Sequence, residues 1–144
     1  DFDFAKVVEA SKDNPVFYVQ YAHARISSLG RRVKEAFPGA LPAPNLSRFG
    51  AEELALVREL ANFPRVVEAA ANAREPHRIA FYLYDLAASF HGWWNIGNDD
   101  PARRVIVADD AELTASRLYL SAGIAQVIRN GLALMGVAAL EEMS

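Results

Sequence analysis

Cysteine is absent from this 144-residue chain, which removes disulfides, thiolate metal sites and cysteine nucleophiles together and fits a reducing, cytoplasmic setting. No run approaches the roughly 20 uninterrupted apolar residues of a membrane span. The acidic start Asp1-Phe2-Asp3-Phe4 is unlike a signal peptide, so a soluble protein with no membrane partner is expected. That start also lacks a methionine and opens inside a patterned segment, which suggests a piece of a longer polypeptide. Neither a Gly-x-x-x-x-Gly-Lys loop nor a Gly-x-Gly-x-x-Gly fingerprint is present, so these residues should not cradle a nucleotide cofactor. There is no Gly-x-Ser-x-Gly elbow, hence no assigned catalytic triad. His23, His77 and His91 lack partners at the spacing of a zincin helix, and read as hydrogen-bonding or surface histidines rather than metal ligands. A strong excess of either charge is missing as well. Fifteen Lys and Arg stand against 18 Asp and Glu, a net charge of −3. That argues against a non-specific polyanion binder, whose affinity comes from many cationic contacts to phosphate. It leaves local reading of single-stranded bases open, because stacking and hydrogen bonds to base edges carry that recognition.

What the chain does have is 52% hydrophobic residues, enough for one compact core at this length. Residues 2–12 pattern as a short helix, and Asp13-Asn14-Pro15 stops it and starts another that runs to about Phe37. Three prolines in 38–44 exclude helix and mark the principal loop. Leu54, Val57 and Leu60 repeat with helical period. Phe63-Pro64 breaks that pattern before Val66, Val67 and Ala70 resume it, which predicts two short helices joined by a kink. Glu75-Pro76 opens a long helix through Ile79, Leu83, Leu86, Phe90 and Trp93 or Trp94, ending near Gly97-Asn98. Val105-Ile106-Val107 is too short to count as a strand. The last helix begins near Asp109 or Asp110, places Leu113, Leu120, Ile124, Val127 and Leu134 on one face, and stops by Gly136. Five or six helices with short connections predict an all-α bundle.

Within that bundle the run from Asn14 to Ile26 stands out. At 100° per residue, Val19, Ala22, Ile26, Leu29 and Val33 form one stripe, and Tyr18, Tyr21, Arg25 and Arg32 form a second beside it. On spacing alone the ordinary fate of such aromatics is packing, with hydroxyls bonded at the core's edge. Trp93 and Trp94 point about 100° apart on a helix, so one of them should lie at the surface or over a partner. Asp99-Asp100 and Asp109-Asp110 read as helix caps rather than cation ligands.

The words of the run matter beyond their spacing. Asn14-Pro-Val-Phe-Tyr-Val-Gln-Tyr-Ala-His-Ala-Arg25-Ile26 closely resembles the segment of arginyl-tRNA synthetases that enters their helical anticodon-binding domain. Glu75-Pro76-His77-Arg78-Ile79-Ala80-Phe81-Tyr82-Leu83-Tyr84-Asp85-Leu86, Leu113–Leu118 and Gln126–Leu132 agree in the same order. The resemblance implies a DALR-type domain over residues 14–144 that grips the anticodon stem and loop of arginine tRNA. Residues 1–13 would be the tail of the catalytic domain or a connecting helix. The family's two ATP-binding signatures are missing from these residues, so ATP and the ligation chemistry would belong to a catalytic domain in the same polypeptide. Carried over by motif, Tyr18, Tyr21 and Arg25 would line the anticodon pocket, with Arg32 on the phosphate path. Trp94 would face them from the opposite helix, and Met143 would lie near the chain end that folds toward the anticodon. The letters that name the DALR class read Thr114-Ala115-Ser116-Arg117 here, and Arg117 is expected to be structural. Cysteinyl and glycyl synthetases carry related domains, and a purely structural or protein-interaction bundle is the alternative. The module is expected to be a monomer.

Overall fold

Asn14 shows how closely the local sequence sets the first element: its side chain accepts hydrogen bonds from Val16 N at 2.9 Å and Phe17 N at 3.5 Å. Pro15 follows where its missing N–H is no loss. The computed structural model describes residues 14–142, and the calls on residues 1–13 and on Met143 therefore lie outside the described residues. Five α-helices are present among the described residues: α1 (Pro15–Ala36), α2 (Ala51–Ala61), α3 (Phe63–Ala73), α4 (His77–Asp99) and α5 (Ala111–Leu134). Short 3-10 turns at Leu46–Arg48 and Pro101–Arg103 complete the path, and no strand occurs among the described residues. The all-α expectation holds, and Val105–Val107 is irregular, with Val105 buried as a plug.

α1 packs against both α4 and α5, while α2 and α3 lie across the α4 side. The α1 seam follows the expected stripe through Val19, Ala22, Ile26 and Leu29, all buried, while Val33 near the helix end is only half-buried. Across from it, Leu83, Leu86 and Phe90 of α4 meet Ile124, Ile128 and Leu132 of α5 in a fully enclosed layer. Gly131 permits this approach, because a Cβ there would fall 2.7 Å from both Leu83 methyls.

Two helix faces differ from the sequence expectation. On α2, Leu54 and Val57 are exposed, and Glu53 and Leu56 turn inward instead. Glu53 earns its interior position by hydrogen bonding, since it accepts from Gly50 N at 2.7 Å and from Trp93 Nε1 at 2.7 Å. A buried carboxylate with two donors outweighs apolar periodicity. On α5, Leu134 is 59% exposed because the helix is at its last residue, beyond the core; Ile128 and Leu132 fill the face assigned to it. Gly136, the expected stop, takes φ +73° and makes a left-handed turn after that end.

The segment Thr114–Arg117 fastens loops to α5. Thr114 Oγ1 accepts from Val107 N and donates to Val107 O, at 2.9 and 3.0 Å. Ser116 Oγ accepts from Asn45 N at 2.8 Å. Arg117 Nη1 donates to the carbonyls of Ala102 and Arg104, which is the structural role expected of it. Asp110 and Asp100 act as caps, accepting from Leu113 N and Ala102 N.

Candidate nucleic-acid interface

The second stripe of α1 meets the C-terminal half of α4 in one aromatic and cationic cluster. Arg25 lies at its centre. Its guanidinium carbon sits 4.8 Å from the Trp94 ring and 5.1 Å from the Tyr21 ring, within the range of cation–π attraction. Nη2 donates to the Tyr21 hydroxyl at 3.2 Å, and Nη1 donates to His91 Nδ1 at 3.1 Å. A guanidinium has no acceptor, so the His91 contact requires a neutral ring with its proton on Nε2. That Nε2 is buried and has no hydrogen-bond partner among the described residues. Burial, reinforced by the positive charge of Arg25, pushes the His91 pKa down to about 4 from its usual 6.5.

Around this centre, Tyr18 is half-buried, its ring 5.0 Å from both Tyr84 and His91. Burial first, then Tyr84, raises its hydroxyl pKa. Tyr21 is 39% exposed and stacks obliquely on His91 at 5.5 Å. Arg32, two turns further along the helix face and exposed, also reaches the Trp94 ring at 5.8 Å. Trp93 and Trp94 divide as expected: Trp93 is 6% exposed and bonded to Glu53, whereas Trp94 is half-buried.

Tyr21, Arg25, Arg32 and Trp94 together line an open groove of about 740 Å³, with Ser28, Arg31, Glu141 and Glu142 along its sides. The last two arrive because the tail doubles back over α1. Gln20 Nε2 donates to Ala138 O at 2.9 Å, and His23 Nδ1 donates to Leu140 O at 2.6 Å. His23 is therefore a hydrogen-bonding histidine, as expected. Four of the six residues expected at the site thus line one groove, Tyr18 supports it from its inner edge, and Met143 follows the described tail.

His91, Arg31 and the tail glutamates are the members sequence reasoning did not single out. His91 was legible in principle, since it lies one helical turn before Trp94 and so shares its face. The tail's approach was implied only by the family resemblance, through Met143, and no local pattern marks Glu141 or Glu142, because their position depends on side-chain bonds from a helix more than a hundred residues earlier. Among the described residues no group of three metal-ligating side chains comes together, and no helix is long and apolar enough to cross a membrane.

Chemically, the groove offers aromatic faces beside a guanidinium held in place by three neighbours. That suits a planar, electron-rich ring attached to an anionic backbone, since stacking and charge-assisted hydrogen bonds can be satisfied together. Comparison with known proteins points the same way. The family model of the DALR anticodon binding domain matches residues 19–143. An arginine–tRNA ligase from Novosphingobium aromaticivorans is 63% identical over 144 residues, covering 99% of this chain and 24% of the relative. One from Rhizobium etli is 56% identical over 149 residues, covering 99% and 26%. Among solved structures, Thermus thermophilus arginyl-tRNA synthetase superposes with a TM-score of 0.81 at 37% identity, covering 99% of this chain and 23% of that one. The chain thus spans about a quarter of the length of the relatives it matches.

Proposed function

This chain belongs to the DALR anticodon binding domain family, and from that premise we propose that it is the tRNA-reading module of an arginine–tRNA ligase. In this reading the anticodon loop of arginine tRNA opens into the groove, bases stack on Tyr21 and Trp94, and Arg25 with Arg32 holds the phosphate path. Tyr18 braces the cluster from within, and Met143 remains a proposed contact on the strength of the family resemblance alone. Ligation and its ATP fall to a catalytic domain in the same polypeptide, preceding residue 14. The module is proposed to act as a monomer, and work on tRNA implies the cytoplasm.

The observation that carries the proposal is the placement of Arg25 between Tyr21 and Trp94 on an open groove. A protein using these side chains only for packing would close over them. Net charge does not oppose the reading, because Arg25, Arg31 and Arg32 gather on this one surface of an otherwise acidic chain and outnumber Glu141 and Glu142 there. The test is a titration of arginine tRNA against Tyr21→Ala and Arg25→Ala. Stacking on an aromatic is worth roughly 1–3 kcal/mol per base, so each variant should weaken binding by about tenfold or more. Unchanged affinity in both would sink the assignment.

A further inference from the structure

Trp94 is a partition as well as a platform. On its far side lies a second pocket of about 190 Å³, between the C-terminal halves of α1 and α4 and the segment 103–106. Its floor is apolar and buried, made of Leu29, Trp93 and Val105. Its rim is polar, made of Arg32, Asn98 and Arg104, with Arg103 beside them in an ion pair to Glu52 at 2.5 Å. Among the described residues no acidic side chain lines it.

The wall formed by residues 103–106 is held in place from several directions. A Cβ at Gly97 would fall 2.9 Å from Arg104 Cα, so the backbone there lies directly on α4. Arg104 Nε donates to Gly97 O at 3.0 Å, and Arg117 grips the carbonyls of Ala102 and Arg104. A pocket whose wall is tied this way needs little ordering when it is filled.

From this arrangement, and resting on the anticodon-binding reading above, we infer that the pocket behind Trp94 receives a second unstacked base of the same RNA loop. The apolar floor takes the base, Asn98 meets its edge, and the backbone crosses from one pocket to the other over Arg32, which lines both. Continuity selects this occupant, since Arg32 and Trp94 belong to both pockets. Charge selects it too: the rim is cationic, whereas an apolar peptide segment would have no use for three arginines around one small cavity. Unpaired bases splayed into separate pockets are the usual means of reading single-stranded RNA.

The test is an abasic scan. Anticodon stem-loops lacking one base at a time are titrated against the wild-type chain, Arg25→Ala, Asn98→Trp and Arg104→Gln. Asn98→Trp blocks the mouth from an exposed helix position, and Arg104→Gln removes a rim charge with little change of volume. One loop position is expected whose abasic form binds wild type about tenfold more weakly. That penalty should shrink to within about twofold in Asn98→Trp and Arg104→Gln, yet persist in Arg25→Ala. If a loop position couples to Arg25→Ala but none couples to either pocket variant, the second base site is wrong and the first groove stands. If none couples to Arg25→Ala either, the anticodon-binding reading itself falls.

Discussion

Two histidine–arginine pairs tie α1 to its neighbours at the same 3.1 Å distance, yet they have opposite surroundings. In one, Arg129 of α5 donates to His23 Nε2, while His23 Nδ1 donates to Leu140 O, so both ring nitrogens are satisfied and the ring is 2% exposed. In the other, Arg25 donates to His91 Nδ1, while His91 Nε2 is buried without a partner among the described residues. The first pair satisfies both nitrogens of a buried ring and works as a latch for the tail, with Arg129 itself on the exposed face of its helix. The second is held firmly from beneath and open above, where Arg25 faces a groove between two aromatic rings. Identical chemistry becomes scaffold or interface according to what lies on the arginine's far side.

The strongest way to break the comparison is to remove the latch. His23→Ala strips a buried ring bonded at both nitrogens and frees the tail, and should lower stability by about 3 kcal/mol in urea denaturation. A loss below about 1 kcal/mol would show that the latch is not structural.

The second contrast is in pH. The folded pKa of His91, about 4, lies below its ordinary 6.5, so between those values the unfolded chain binds a proton that the folded chain refuses. Its stability contribution is therefore complete above about pH 6.5 and is lost as pH falls toward 4. Between pH 7 and pH 5 the loss should be about 2 kcal/mol. His91→Asn, which keeps an acceptor for Arg25 but does not titrate, should lose less over that interval by about this amount. Equal losses in the two proteins would mean that His91 titrates normally in the folded chain.

Third, RNA affinity should separate the two arginines. Arg25→Ala is expected to weaken anticodon stem-loop binding by about tenfold, and Arg129→Ala to leave it within about twofold. Equal effects would erase the distinction between scaffold and interface. Tyr18→Phe should be the mildest change. Its ring packs on Tyr84 and His91, and loss of the hydroxyl should move neither melting nor affinity beyond about 0.5 kcal/mol. A larger loss of binding would place that hydroxyl on the RNA.

Much of this was legible in the chain itself. Asn14-Pro15, Phe63-Pro64 and Glu75-Pro76 punctuate the helices where the structure does, because capping and proline geometry act over a few residues. The α1 seam and the split between Trp93 and Trp94 follow from helical period alone. Periodicity failed on α2, where the pattern pointed Leu54 and Val57 inward. The inward residues are Leu56 and Glu53, and Gly50 and Trp93 supply the donors that make the buried acid tolerable. One of those donors comes from forty residues away, beyond the reach of any local pattern.

Local physics thus determined an all-α chain with one dry and one aromatic stripe on its first described helix, and the wording of that helix pointed to its family. Whether the aromatic stripe would be covered or left open was settled only by tertiary structure. α4 brings His91 and Trp94 up to Arg25, the tail is drawn by Gln20 and His23 to one side of the groove, and residues 103–106 are clamped over Gly97 to wall the second pocket. Each of those placements depends on hydrogen bonds or close approaches between distant segments, which spacing along one helix does not encode.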